Sequence, residues 1–132
     1  RPLAPAAAEN TVGYACVWLV EEARNAINPS AAQLINAWLH EICDAQGWTL
    51  AQVRIEPEWL YVALRVPPKT LPHTIAQTLM HETATRALAA APHQETRSPW
   101  SDGYLIRTPA DDLRASDIDR FIDFYRSTAL NA

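Results

Sequence analysis

The sequence has little of what several function classes depend on. It has only two cysteines, Cys16 and Cys43, both within apolar segments and with no CxxC or CxxxC spacing. Buried reduced thiols are therefore expected rather than a disulfide or a metal site. No uninterrupted apolar run approaches the roughly 20 residues that a membrane helix needs, so a soluble chain in a cytoplasmic setting, with no membrane partner, is expected. Positive charge is also scarce: 11 Lys+Arg stand against 15 Asp+Glu, for a net charge of −4. That balance leaves no electrostatic footprint for a phosphate backbone. Histidine ligation has little support. Among His40, His73, His81 and His93 no pair has a recognised ligand spacing, and the His81-Glu82 step fails as HExxH because Thr85 stands where the second histidine belongs. No cofactor or metal is expected. Met80 is the only methionine, there is no internal repeat, and the opening RPLAPAAAE is rich in proline and alanine. Residues 1–10 thus read as a linker or tail, and residues 11–132 as one domain of a longer protein.

What the chain does contain is a core. Its 132 residues, 48% hydrophobic and 20% charged, suffice to bury one without staples. Thr11 to Val20 is β-branched and aromatic and predicts a strand buried on both faces, followed by a polar loop. Asn28-Pro29 is a helix start, and Leu34, Ile35, Trp38, Leu39, Ile42 and Cys43 repeat at helical spacing until Gly47 stops the helix. Trp48 to Ile55 and Trp59 to Val66, joined across Pro57, predict a hairpin closed by Pro67 and Pro68. A long helix follows from about Thr70 to Ala90, with Ile75, Leu79, Thr83 and Ala87 on one stripe. Ala91 to Pro99 is then a polar loop and Tyr104 to Thr108 a short last strand. Ser116, with Asp119 three residues on, is read as the cap of a final helix whose inner face carries Ile118, Phe121, Ile122 and Tyr125. The order is β-α-β-β-α-β plus a helix: an α+β, ferredoxin-like sandwich with an additional C-terminal helix.

Within it, the stretch Ile55 to Pro68, IEPEWLYVALRVPP, follows Gly47-Trp48, and further on come SPWSDGYL (Ser98 to Leu105) and IDRFIDFY (Ile118 to Tyr125). In this order, these segments resemble the single-tyrosine HUH transposases, including the REP-associated tyrosine transposases. The likeness runs from about Gly13 to Arg126. In that family two histidines flanking a hydrophobic residue hold a divalent metal on the scissile phosphate of single-stranded DNA. A helix tyrosine attacks, and a polar side chain one turn later completes the metal site. The resemblance places Trp59 and Tyr61 at the histidine positions, Phe121 at the nucleophile and Tyr125 at the later ligand.

Indole and phenyl groups do not bind a Mg-type ion, and a neutral phenol is a poor ligand for one. The resemblance therefore implies a nuclease fold whose active site has become packed aromatic core, with no catalytic residues. Tyr125 is the remaining candidate for a displaced nucleophile. The function expected is that of a catalytically inactive, transposase-derived dimerisation or binding module, with the homodimer implied by the family. One alternative is a single-stranded DNA-binding transposase or nickase with an unorthodox site, for which weak nucleic-acid contacts would fall to Arg65, Lys69, Arg86, Arg97 and Arg107. Another is a small-ligand sensor.

Overall fold

The computed structural model describes residues 10–22, 26–90 and 99–131, with side chains described as far as Arg126. The expected residues 1–9 of the linker and residues 91–98 of the second loop, Arg97 among them, lie outside the described residues. Four strands, β1 (Val12–Val20), β2 (Thr49–Ile55), β3 (Trp59–Val66) and β4 (Trp100–Arg107), form one antiparallel sheet in the order β2-β3-β1-β4. Helices α1 (Pro29–Gln46) and α2 (Pro72–Ala90) intervene as expected. A 3-10 turn (Ala110–Asp112) leads into the last helix, α3 (Ala115–Asn131). This is the ferredoxin-like βαββαβ arrangement with its extra helix.

The period-2 geometry of strands sorts side chains onto two faces. Tyr14, Cys16, Trp18 and Val20 of β1, with Leu60, Val62, Leu64 and Val66 of β3, meet Ile35, Leu39 and Ile42 of α1 and Ile75 and Leu79 of α2 in an upper core. Ala15 and Val17 point the other way and join Leu113 and Ile118 in a smaller, lower core.

The helix signals behave as their chemistry requires. Asn28 Oδ1 accepts the Ala31 N–H at 2.8 Å, and Gly47 ends α1 in the left-handed region at φ 77°. In α2, Thr83 is fully buried because its hydroxyl donates to the Leu79 carbonyl at 2.7 Å and accepts the Trp100 indole N–H at 2.9 Å. Both cysteines are free and buried. Burial pushes the Cys16 thiol far above its ordinary range, and burial with the Asp44 charge pushes Cys43 up to about 11.

Three expectations are corrected. Leu34 is 52% exposed rather than part of the core stripe, because α1 meets the sheet along Ile35, Leu39 and Ile42, one row to its side. The last strand spans Trp100–Arg107, not Tyr104 to Thr108. Trp100 pairs with Val20 across an irregular register, which carries the strand through Asp102 and Gly103. Ser116 does not cap the last helix, because it already lies inside the first turn. Arg114 takes the cap position, and its N–H donates to Asp117 Oδ2 at 3.0 Å, the reciprocal half of a capping box shifted two residues upstream.

Candidate functional site: an aromatic face under the last helix

Trp59 and Tyr61 are two apart on β3 and so share the lower face, where both pack, half-buried, against the core of Ala15, Val17, Leu113 and Ile118. The register explains the room they have. Tyr61 lies opposite Val17 on one side and Arg54 on the other, and the next row has Ala63 and Ala15 at its centre, between Gln52 and Arg107. Small side chains in the middle of the sheet let α3 and its 3-10 turn approach closely. Phe121 and Ile122 of α3 complete the cluster.

Tyr125 is attached one turn further along. Its ring sits edge-on to Phe121 with centroids 5.0 Å apart, and Phe124, 65% exposed, stands edge-on to Tyr125 at 5.8 Å. Where Gly103 of β4 faces it, a Cβ would lie 1.3 Å from the Tyr125 hydroxyl. Glycine in mid-strand is thus required by the approach of that phenol, a reason the sequence alone does not display. Arg126, the next residue of α3, adds a polar tie: its guanidinium donates to the Val20 carbonyl at 3.3 Å and pairs with Glu58 at 3.2 Å, joining α3 to the β2–β3 turn.

The four aromatic positions singled out in the sequence are therefore spatial neighbours, but half-buried ones. They line the margin of a small core rather than filling a closed pocket. Burial, helped by the nearby Asp111 carboxylate, holds the Tyr61 phenol above its ordinary value, so it is a neutral hydroxyl at physiological pH. At the N-terminus of α3 the Arg114 N–H, assisted by Arg120 and Arg107, holds the Asp117 carboxyl below the usual range. The donor set does not fit a divalent metal. Beside the indole and the neutral phenol, Asp111 adds a hard oxygen, but among the described residues no group of three or more His, Cys, Asp or Glu is placed to hold an ion.

The cations named in the sequence do not converge. Arg65 and Arg107 are on the lower face, where Arg65 is tied to Thr11 through its Nε at 2.7 Å and Arg107 acts on Asp117. Lys69 is exposed in the turn before α2. Arg86 is on the opposite layer of the molecule and pairs with Glu41 of α1 at 2.6 Å. The cation that does reach the aromatic cluster is Arg54, whose guanidinium carbon lies 5.2 Å from the Trp59 ring centroid. Its signal in the sequence is strand parity combined with hairpin register, since Arg54 pairs with Tyr61 across the turn.

The family model for IS200-like transposases matches residues 9–124. Among solved structures, a Deinococcus radiodurans R1 protein described as a transposase superposes with a TM-score of 0.76 and 20% identity, over 86% of this chain and 89% of that one. A REP-associated tyrosine transposase bound to a REP hairpin superposes with a TM-score of 0.58 and 9% identity, over 85% of this chain and 62% of that one. At these identities the likeness is one of fold. No curated protein matches the sequence. Among the described residues no helix is long and apolar enough to cross a membrane.

Proposed function

The chain belongs to the IS200-like transposase family, and from that premise we propose that it is a catalytically inactive member serving as a dimerisation or binding module within a larger protein. The observation that carries this reading is the meeting of Trp59, Tyr61 and Phe121 in one cluster, with Tyr125 against Phe121. The family resemblance assigns these positions to the two metal-binding histidines, the nucleophile and the later ligand. Phosphoryl transfer of this kind needs a Lewis acid on the phosphate and a hydroxyl in line with it. Indole and phenyl carbon supply neither. Tyr125 keeps a hydroxyl, but it lies over Gly103 on β4, which gives it packing work in place of a metal-activated attack.

On this reading the fold survives as a scaffold. The outer strands β2 and β4 offer edges along which a second copy can pair. Two measurements test it together. Incubation with hairpin-bearing single-stranded DNA and Mg²⁺ or Mn²⁺ is expected to give no cleavage and no covalent adduct, and light scattering on a sizing column is expected to give a dimer mass. Metal-dependent cleavage that Tyr125→Phe abolishes would overturn the inactive reading, and a monomer at all concentrations would overturn the dimer.

A further inference from the structure

Beside the upper core, on the face of the sheet away from the aromatic cluster, a cleft opens between α2 and the outer strand β4. Strand parity puts Trp100, Asp102 and Tyr104 on its β4 wall, and Met80 and Glu82 stand on α2 opposite them. The space measures about 590 Å³, within the roughly 300–1,000 Å³ of small-molecule sites. Its floor is rigid. Trp100 is 4% exposed, its indole N–H is held by the Thr83 hydroxyl at 2.9 Å, and its ring packs edge-on to Trp18 with centroids 6.3 Å apart.

We propose that this cleft binds an aliphatic polyamine, with ammonium groups at Glu82 and Asp102 and the methylene chain along Met80, Trp100 and Tyr104. The charge of the lining selects the class of ligand. Among the described residues that line the cleft there is no lysine or arginine, and His81, exposed on α2, is the only base. Elsewhere Glu41, Glu56, Glu58 and Asp117 each pair with an arginine, whereas Glu82 and Asp102 have no ion-pair partner among the described residues. Such a lining repels phosphate and attracts cations. Two carboxylates on separate elements, with apolar side chains between them, suit a ligand whose charges are separated by a hydrocarbon chain. The rings of Trp100 and Tyr104 add attraction for an ammonium group, and the Gln46 and Gln77 amides, also on the lining, supply acceptor oxygens for further N–H groups. A metal ion suits it less, since no group of three or more His, Cys, Asp or Glu among the described residues could hold one.

The inference names a ligand for the binding half of the proposed function, and the two fail separately. Metal-dependent DNA cleavage would overturn the inactive reading without touching the cleft, and a protein that forms an inactive dimer but takes up no polyamine would keep that reading and lose the cleft. The test is titration calorimetry of the full chain with spermidine, against octanediol as an uncharged chain of similar length and against magnesium chloride. The expected result is one spermidine per chain, no heat from octanediol, and no displacement of spermidine by an equal concentration of magnesium.

Glu82→Gln and Asp102→Asn should each weaken spermidine binding by about 3- to 10-fold, as the loss of a partly exposed charged hydrogen bond does, and the double variant should weaken it further. Asp119→Asn, which removes the same charge from α3 on the other face, should leave the affinity unchanged. Asp102 is exposed and Glu82 half-buried, so the variants should fold, which a thermal melt verifies; Asp102→Asn alone decides the matter if Glu82→Gln does not. No binding at millimolar spermidine, a wild-type affinity in Asp102→Asn, an equal loss in Asp119→Asn, or displacement by magnesium would each overturn the polyamine site.

Discussion

The two faces of the sheet are built from the same strands and are stabilised differently. The upper face is closed: Leu39, Leu60, Val62, Ile75 and Leu79 are all 0% exposed, and the buried polar residue Thr83 is hydrogen-bonded on both sides. The lower face is held by half-buried aromatics, a capped helix end and a partly exposed Arg126–Glu58 pair. Stability is therefore concentrated above the sheet. The aromatic cluster of Trp59, Tyr61 and Phe121 lies below it. A domain organised this way can change what its lower face does without endangering the fold.

That contrast can be broken in decreasing steps. Leu79→Ala, in the closed core, should destabilise the domain by ~3–4 kcal/mol in urea unfolding. Phe121→Ala, at a half-buried position, should cost about 2 kcal/mol, short of the 3–5 expected of a fully enclosed phenylalanine. If the two losses come out equal, or in reverse order, the concentration of stability above the sheet is wrong. Gly103→Ala should cost about 1 kcal/mol, and most of that loss should vanish in the Tyr125→Ala background, because the two sites meet directly. Additive losses would show that Tyr125 does not rest on Gly103.

The smallest effect is one of pH. Asp117 has its folded value lowered, chiefly by the Arg114 N–H. Its contribution is thus present above the carboxylate's unfolded value and lost as pH falls through the lowered one. Asp117→Asn should lower stability near neutrality, where the carboxylate contributes, and flatten the profile on the acid side, where wild type loses that contribution. A profile identical to wild type would remove the capping role.

The upper face was legible in the sequence because burial there follows a simple period. The α1 and α2 stripes, the Asn28 and Gly47 caps and the hairpin about Pro57 all come from local chemistry, and Leu34 alone strays from its row. The lower face was legible in part. The gathering of Trp59, Tyr61 and Phe121 followed from the family resemblance, whereas their partial exposure depends on how far α3 extends across the sheet, which no local pattern encodes. Gly103 was unreadable for the same reason: its need arises from Tyr125, distant in the chain. Arg54 carries no local signal, since its place over Trp59 needs strand parity and register together. The cap of α3 was misplaced by two residues because Arg114 has no capping side chain, and the bond comes from Asp117 reaching back.

The buried pair of Trp18 and Trp100 gives the domain an optical signature of its own. Their rings lie 6.3 Å apart at 71°, one on β1 and one on β4, and the Trp18 indole nitrogen has no hydrogen-bond partner among the described residues. Two indoles at that separation and tilt couple their electronic transitions, and an unbonded, water-free indole emits at the blue end of tryptophan fluorescence. The near-ultraviolet dichroism of this pair therefore reports whether β4 is seated against β1. Because both rings are on the upper face, that signal should stay constant in Phe121→Ala, which alters only the lower face.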